Sequence, residues 1–284
     1  MEPTRQLAIV LRSIPFEDRH RIVTALTEKD GLLTAIAKNS IQSRRFGGTL
    51  ELFTASEWIY TQKPGAEMCH LSEAHIRKSF EGIRKDFSKL SLASTFNEVL
   101  LRLNPQGERC EELFKLHSNA LSVLDATELK REAPIPLLNA YLSKLLQWSG
   151  SQPRLLSCSQ CETPLDQMHA LAELTCLIAS AGWICPKCRS QETRHLQDRN
   201  RNSLTHSLLR ISPQAVQNFL FNISVPIRSI PESIQGTEKE HRALFRFLEA
   251  LFIYHVPGFD KKPIKTLRFL DLESSVQPAE ENLL

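Results

Sequence analysis

Two Cys-x-x-Cys pairs, Cys158-Ser-Gln-Cys161 and Cys185-Pro-Lys-Cys188, constrain this chain more than any other feature. A spacing of two residues lets one tight turn present both thiolates to one metal, and two such turns complete a tetrahedral four-sulfur shell. The 23 residues between the pairs slightly exceed the roughly 15–20 of common zinc ribbons, which implies an inserted excursion. Four thiolates leave no open coordination position, so the expectation is one structural zinc held by Cys158, Cys161, Cys185 and Cys188. A redox pair or buried free thiols would not call for two tandem pairs. Cys176, flanked by Thr175, Leu177 and Ile178, reads as a buried thiol, although it and His169 are the alternative ligands. Cys69 and Cys110 have no partner spacing and read as core or half-exposed residues. A zinc deaminase would need His-x-Glu ahead of Pro-Cys-x-x-Cys. Here Ala170 and Leu171 follow His169, and Pro186 falls inside the second pair. No zincin, nucleophile-elbow, Walker or dinucleotide motif occurs, so no catalytic residue is assigned and the expectation is a protein that is not an enzyme.

A chain of 284 residues with 42% hydrophobic and 24% charged residues can build two or three packed modules. The net charge of +3 does not by itself point to nucleic acid, but its distribution is uneven. From Cys185 to Ile227 six Lys and Arg residues face two acids, whereas the charged residues from Asp271 onward are all acidic. No signal segment is legible and no apolar stretch approaches the roughly 20 residues that span a bilayer. The expectation is a cytoplasmic protein, in a reducing compartment where seven cysteines favour metal over disulfides.

The chain reads as α+β. Short runs at Gln6–Leu11, Arg21–Leu26, Leu32–Lys38, Leu50–Tyr60 and Met68–Ile76 predict a five-stranded barrel over residues 1–80, of the OB-fold kind that often binds oligonucleotides. From Phe87 the apolar period becomes helical and Asn104-Pro105 ends the run. Further helical stripes begin near Leu113 and at Pro134, and others cover Pro213–Phe221 and Glu238–His255. This predicts an α-helical domain over 81–152 and 203–270, a four-cysteine zinc ribbon inserted at 153–202, and an acidic, disordered tail at 271–284.

Basic residues cluster in the first 80 positions. Lys38-Asn39-Ser40-Ile41-Gln42-Ser43-Arg44-Arg45-Phe46, followed by Gly47-Gly48, lies between two predicted strands. Lys38, Arg44 and Arg45 can pair with phosphates, and Ser40 and Ser43 can donate to them. Phe46 could stack on a base, but a place in the barrel core suits it better. The cluster equally fits a solvated loop. Arg19 and Arg21 form a weaker cluster beside Glu17 and Asp18, and Arg199 and Arg201 could extend a phosphate track or lie in a charged surface loop.

The order of these features resembles the RecO family along almost the whole chain. The resemblance rests on Ala8–Ser13, Glu17-Asp18, Thr27–Leu33, Ala37-Lys38 with Ser43–Gly48, Gln152–Leu156 leading into Cys158, Gly182–Cys185, and Pro263–Leu270. Asn39 and Ala181 stand where the family usually has glycine. The resemblance implies an N-terminal OB-fold, a basic hairpin, a helical domain with a zinc-binding insertion, and a closing helix at Pro263–Leu270. It also implies a role in DNA repair after DNA damage and in DNA recombination. The implied activities are binding of single- and double-stranded DNA, annealing of complementary strands, and work with RecR to load RecA onto DNA coated by single-strand-binding protein. The acidic C-terminal tail of that last protein would need an apolar slot beside a cation, for which the helical domain offers Arg102, Arg109, Lys115, Lys130, Arg131 and Lys144. The residues alone also fit a zinc-ribbon RNA-binding or transcription-associated factor, and less well a zinc hydrolase.

Overall fold

The computed structural model describes residues 2–105, 110–126, 134–167, 172–190, 208–259 and 262–272. The chain forms two compact units, residues 1–129 with 264–271, and residues 130–263 with 272–284.

Five strands open the first unit: β1 Thr4–Phe16, β2 His20–Thr27, β3 Gly31–Ala37, β4 Ala55–Thr61 and β5 Cys69–Lys78. They close into a barrel in the order β1-β2-β3-β5-β4, with β3 and β5 parallel and every other pair antiparallel. This is the five-stranded barrel that the sequence predicts. Alternate residues fill it: Val10, Val23, Ala35, Trp58 and Leu71 point inward, and Phe46 joins them from a loop. The Phe46 ring is thus a core residue rather than a free stacking platform.

One extra residue decides what the outside of β1 presents. The β1–β2 register slips between Val10 and Arg12, so that Leu11 is a bulge. Ile9 and Leu11 are buried without belonging to the barrel core, and the Leu11 carbonyl accepts from Asn97 Nδ2 at 3.0 Å. Beyond the bulge Arg12, Ile14 and Phe16 are exposed, which shows how a bulge re-aims a strand.

Two sequence expectations fail near here. Leu50–Thr54 is not part of a strand, because Phe53 takes φ +69° and β4 begins only at Ala55. The segment from Lys38 is not a hairpin either: β3 and β4 are not neighbours, and an irregular crossover joins them, with a 3-10 turn at Arg44–Phe46.

Helices α1 (Glu81–Arg84), α2 (Phe87–Leu103) and α3 (Cys110–Ala126) complete the first unit. Asp86 caps α2 by accepting from Lys89 N at 2.9 Å, and Asn104 ends it in the left-handed conformation. Residues Lys265–Leu270 pack on α2 as a 3-10 helix, at the place of the closing helix that the resemblance implies. Leu267 is its buried residue and Ile264, its N-cap, is buried three positions earlier, a spacing that matches the 3-10 period. The Glu98 carboxylate receives both Lys265 N and Thr266 N at 2.8 Å.

The second unit holds α4 (Pro134–Trp148), a three-stranded sheet of β6 (Leu174–Leu177), β7 (Gly182–Ile184) and β8 (Leu208–Ile211) in the order β7-β6-β8, then α5 (Pro213–Ser224) and α6 (Glu238–His255). Ser212 caps α5 ahead of Pro213, and Thr237 with Glu240 forms a capping box on α6. Both α5 and α6 pack on α4.

Asn39 and Ala181, where the resemblance expects glycine, have φ of +53° and +48°. Both keep the left-handed backbone that glycine would adopt. Asn tolerates it, whereas Ala bears a Cβ penalty of about 1–2 kcal/mol. Ala181→Gly is therefore expected to stabilise the chain by about 1 kcal/mol, read as a higher urea midpoint with unchanged slope. An unchanged or lower midpoint would contradict this account of the turn.

Candidate metal centre and nucleic-acid interface

The four paired cysteines converge in the second unit. Their Sγ atoms all lie within 4.8 Å of one another, close enough to hold a metal ion. The Cys161 and Cys185 sulfurs are 3.7 Å apart, far too long for a disulfide. A tetrahedral shell with metal–sulfur bonds of about 2.3 Å has edges of about 3.8 Å, so the donor set fits zinc. Backbone donors already point at the sulfurs: Cys185 N–H to Cys158 Sγ at 3.3 Å and Cys188 N–H to Cys185 Sγ at 3.4 Å.

Each pair is held by its own turn. Glu162 N returns to the Cys158 carbonyl at 2.9 Å, and Cys158 N bonds Thr163 O at 2.9 Å. The second pair opens the helical residues 186–190, with Arg189 N bonded to Cys185 O at 2.9 Å. Trp183 ties the turns together: its carbonyl accepts Ser159 N, and its indole N–H donates to Leu155 O at 3.1 Å. The Thr163 hydroxyl and backbone hold the exposed Cys161 thiol down at about 6, whereas burial is the first cause that pushes Cys188 up to about 12. Cys176 lies on β6 opposite Trp183 and Leu209, buried and outside the four-sulfur group, and burial raises its thiol well above the usual range. Cys69 and Cys110 are buried as well. His169 lies outside the described residues.

The predicted basic residues gather at one end of the barrel. Arg19 is exposed in the β1–β2 turn, and its carbonyl accepts Ile41 N at 3.3 Å; Asn39 N donates to His20 Nδ1 at 2.9 Å. These bonds pin the Lys38–Phe46 segment against the turn. Lys38, Arg44 and Arg45 are exposed, and among the described residues neither they nor Arg19 pair with a carboxylate. The Arg45 guanidinium lies 5.1 Å from the centre of the Phe46 ring. Ser43 caps the 3-10 turn by accepting Arg45 N at 3.2 Å. Ser40 is buried and its Oγ has no partner among the described residues, so it does not face solvent as a phosphate donor would. Arg21 is engaged locally, donating to Ser13 Oγ at 3.2 Å and lying 3.7 Å from Glu51. Arg199 and Arg201 lie outside the described residues.

Sequence reasoning missed the outward residues of β1 beside this cluster. Arg12, Ile14 and Phe16 alternate after Leu11, but the bulge hides the pattern from a simple period-two reading. The opposite end of the β2–β3 face is a groove of about 530 Å³ that includes Asp30 and Glu67. The cationic end is not free of acids, since Glu17 and Asp18 share the β1–β2 turn with Arg19 and Glu17 lies 3.5 Å from His20 Nε2.

Comparison with known proteins bears on both halves of the chain. Residues 1–80 match the family described as Recombination protein O N terminal, and residues 84–226 match Recombination protein O C terminal. A DNA repair protein RecO from Desulfatibacillum aliphaticivorans is 33% identical over 190 residues, covering 66% of this chain and 72% of that protein. One from Pelobacter propionicus is 30% identical over 213 residues, covering 73% and 79%. One from Syntrophus aciditrophicus is 26% identical over 271 residues, covering 92% and 93%. With a five-stranded barrel at its start, a four-cysteine cluster in its second half and both family regions matched in order, the chain belongs to the recombination protein O family.

Proposed function

We propose that this chain is a non-enzymatic DNA repair and recombination mediator that binds single- and double-stranded DNA and anneals complementary strands. It works with RecR to load RecA onto DNA coated by single-strand-binding protein. The observation that carries the reading is a set of cations, Arg19, Lys38, Arg44 and Arg45, unpaired among the described residues at one end of a closed five-stranded barrel. Phosphate contacts from such a loop position a strand without reading its sequence, which suits annealing. One zinc held by Cys158, Cys161, Cys185 and Cys188 stabilises the second unit and has no open position for chemistry. The test is annealing of strands coated by single-strand-binding protein, with and without RecR. Faster annealing supports the reading; binding to RNA with no annealing of DNA would favour an RNA-binding factor instead.

Loss of the loop cations has a specific signature. Each neutralised phosphate contributes roughly −0.7 to the slope of log affinity against log salt for single strands. Arg44→Ala with Arg45→Ala is expected to weaken binding and flatten that slope by roughly 1.4, with little dependence on sequence. Wild-type affinity and slope would show that the loop is only solvated.

For the tail of single-strand-binding protein, α4 offers the better cation. Arg102 and Lys115 already pair with Glu98 and Glu111, and Arg109, Lys130 and Arg131 lie outside the described residues. Lys144 is half-buried and desolvation lowers the affinity of its amine for a proton, so a carboxylate beside it would restore what burial removes.

A further inference from the structure

Cross-strand partners share a face of a sheet, so the registers define what the outside of the barrel displays. Ile14 pairs with Ile22, Ile22 with Ile36, and Ile36 with His70, which makes one row across β1, β2, β3 and β5. Phe16 pairs with His20 one step toward the turn, and Arg12 pairs with Thr24 one step away from it. The alternating positions Val23, Ala35 and Cys69 are fully buried in the core, so these rows lie on the outer surface. Ile14 and Phe16 are 38% and 40% exposed, large values for apolar side chains in the middle of a charged surface. Lys38 follows β3 directly, and Arg12 and Arg19 lie on the strand and turn beside them; all three are exposed.

We infer that this outer face is a base-stacking platform that selects single strands, with Phe16 as its main contact and Ile14 and His20 beside it. The inference rests on the DNA-binding reading above and assigns the part of that site which charge does not supply. Cations alone attract any polyanion, duplex or single-stranded. A flat ring flanked by aliphatic side chains adds something only for nucleotides whose base faces are free, and every base has such a face. In a duplex those faces are stacked on one another, and only phosphates and groove edges remain to be touched. The platform therefore accounts for preference between the two forms, while Lys38, Arg44 and Arg45 account for strength. Its place beside the pinned loop gives a strand one side on which phosphates meet Lys38, Arg44 and Arg45 and bases meet Phe16, while Glu17, next to Phe16 in the turn, lies 3.5 Å from His20 Nε2.

The test uses the full chain and compares an oligothymidine with a duplex of mixed sequence at several salt concentrations. Phe16 lies outside the core, so Phe16→Ala leaves the barrel intact. It is expected to weaken oligothymidine binding about tenfold, within the range for loss of one stacking aromatic, with the salt slope and the duplex affinity unchanged. Phe16→Trp should retain single-strand affinity and lose indole emission when oligothymidine, but not duplex, is added. An unchanged single-strand affinity in Phe16→Ala, or equal losses for both ligands, would overturn the inference. If the loop double variant weakens binding while Phe16→Ala does not, only the platform falls. Absence of DNA binding by the unsubstituted chain would remove the mediator reading along with it.

Discussion

Cys185→Ser is expected to abolish stoichiometric zinc and to unfold the turns that carry Cys158, Cys161 and Cys188. Cys185 is the most connected of the four: its sulfur receives Cys188 N–H, its own N–H donates to Cys158, and its carbonyl starts the helical residues 186–190. Replacing its sulfur removes a ligand and the acceptor of Cys188 N–H at once, and only the backbone bonds of residue 185 remain. Structural zinc sites in small peptides contribute about 10–16 kcal/mol, because the unfolded chain offers no preformed shell. Here Trp183, Leu174 and Ile184 are also buried around the site, so apolar packing shares that role and the loss should be several kcal/mol rather than the whole. Elemental analysis should fall from one zinc per chain to well below one, and limited proteolysis should open the 153–190 region while sparing the barrel. Absence of zinc from the unsubstituted protein would refute the metal assignment. Full retention of zinc after the substitution would shift the fourth ligand to His169 or Cys176.

Gly31→Ala is expected to be the most damaging conservative change in the first unit. Gly31 has φ +78°, and a Cβ there would sit 2.1 Å from the Pro105 carbonyl oxygen and 2.9 Å from Cys110 Sγ. The nearest clash is with backbone, and that carbonyl is fixed by accepting Leu32 N–H at 3.1 Å. It cannot retreat without breaking the link between the β2–β3 turn and the segment after α2. The left-handed penalty of about 1–2 kcal/mol adds to an overpacking cost of about 1–3 kcal/mol, which gives a loss of about 2–5 kcal/mol. Urea unfolding measures it, and a wild-type midpoint would show that the turn relaxes freely. Cys110→Ala should not rescue the variant, since the closest contact is with Pro105.

The parts of the molecule that were legible in the sequence are those where one local rule acts alone. Helices α2 and α6 announce themselves because apolar spacing, a capping residue and a terminator agree, as with Asp86 and Asn104 on α2, and α4 does so because Pro134 and Gly150 bound its apolar stripe. The four-cysteine group is legible because thiolate spacing is itself the geometry of the site. What was hidden depends on long-range pairing. The Lys38–Thr54 crossover looks like a hairpin until the order β1-β2-β3-β5-β4 separates its flanking strands. Strands β6, β7 and β8 are only three or four residues long, too short for a period to register. The outward row of β1 was lost because Leu11 shifts the alternation by one residue, and nothing in its side chain marks a bulge. Ser40 was misread for a related reason: a polar residue in a basic loop suggests exposure, and only the pinning of that loop to the turn buries it.

The return of Lys265–Leu270 to α2 places the most distant part of the first unit's packing 167 residues from its partner, Glu98. Synthesis proceeds from the N-terminus at about 5–20 residues per second, so the barrel and α2 emerge on the order of ten seconds before the segment that completes them. During that interval Glu98 has no backbone donors from Lys265 and Thr266, and the apolar sites later covered by Ile264 and Leu267 face water. The whole of residues 130–263 must be made in between. The first unit is therefore nucleated early and finished late. A C-terminal truncation before Ile264 should reproduce that unfinished state permanently.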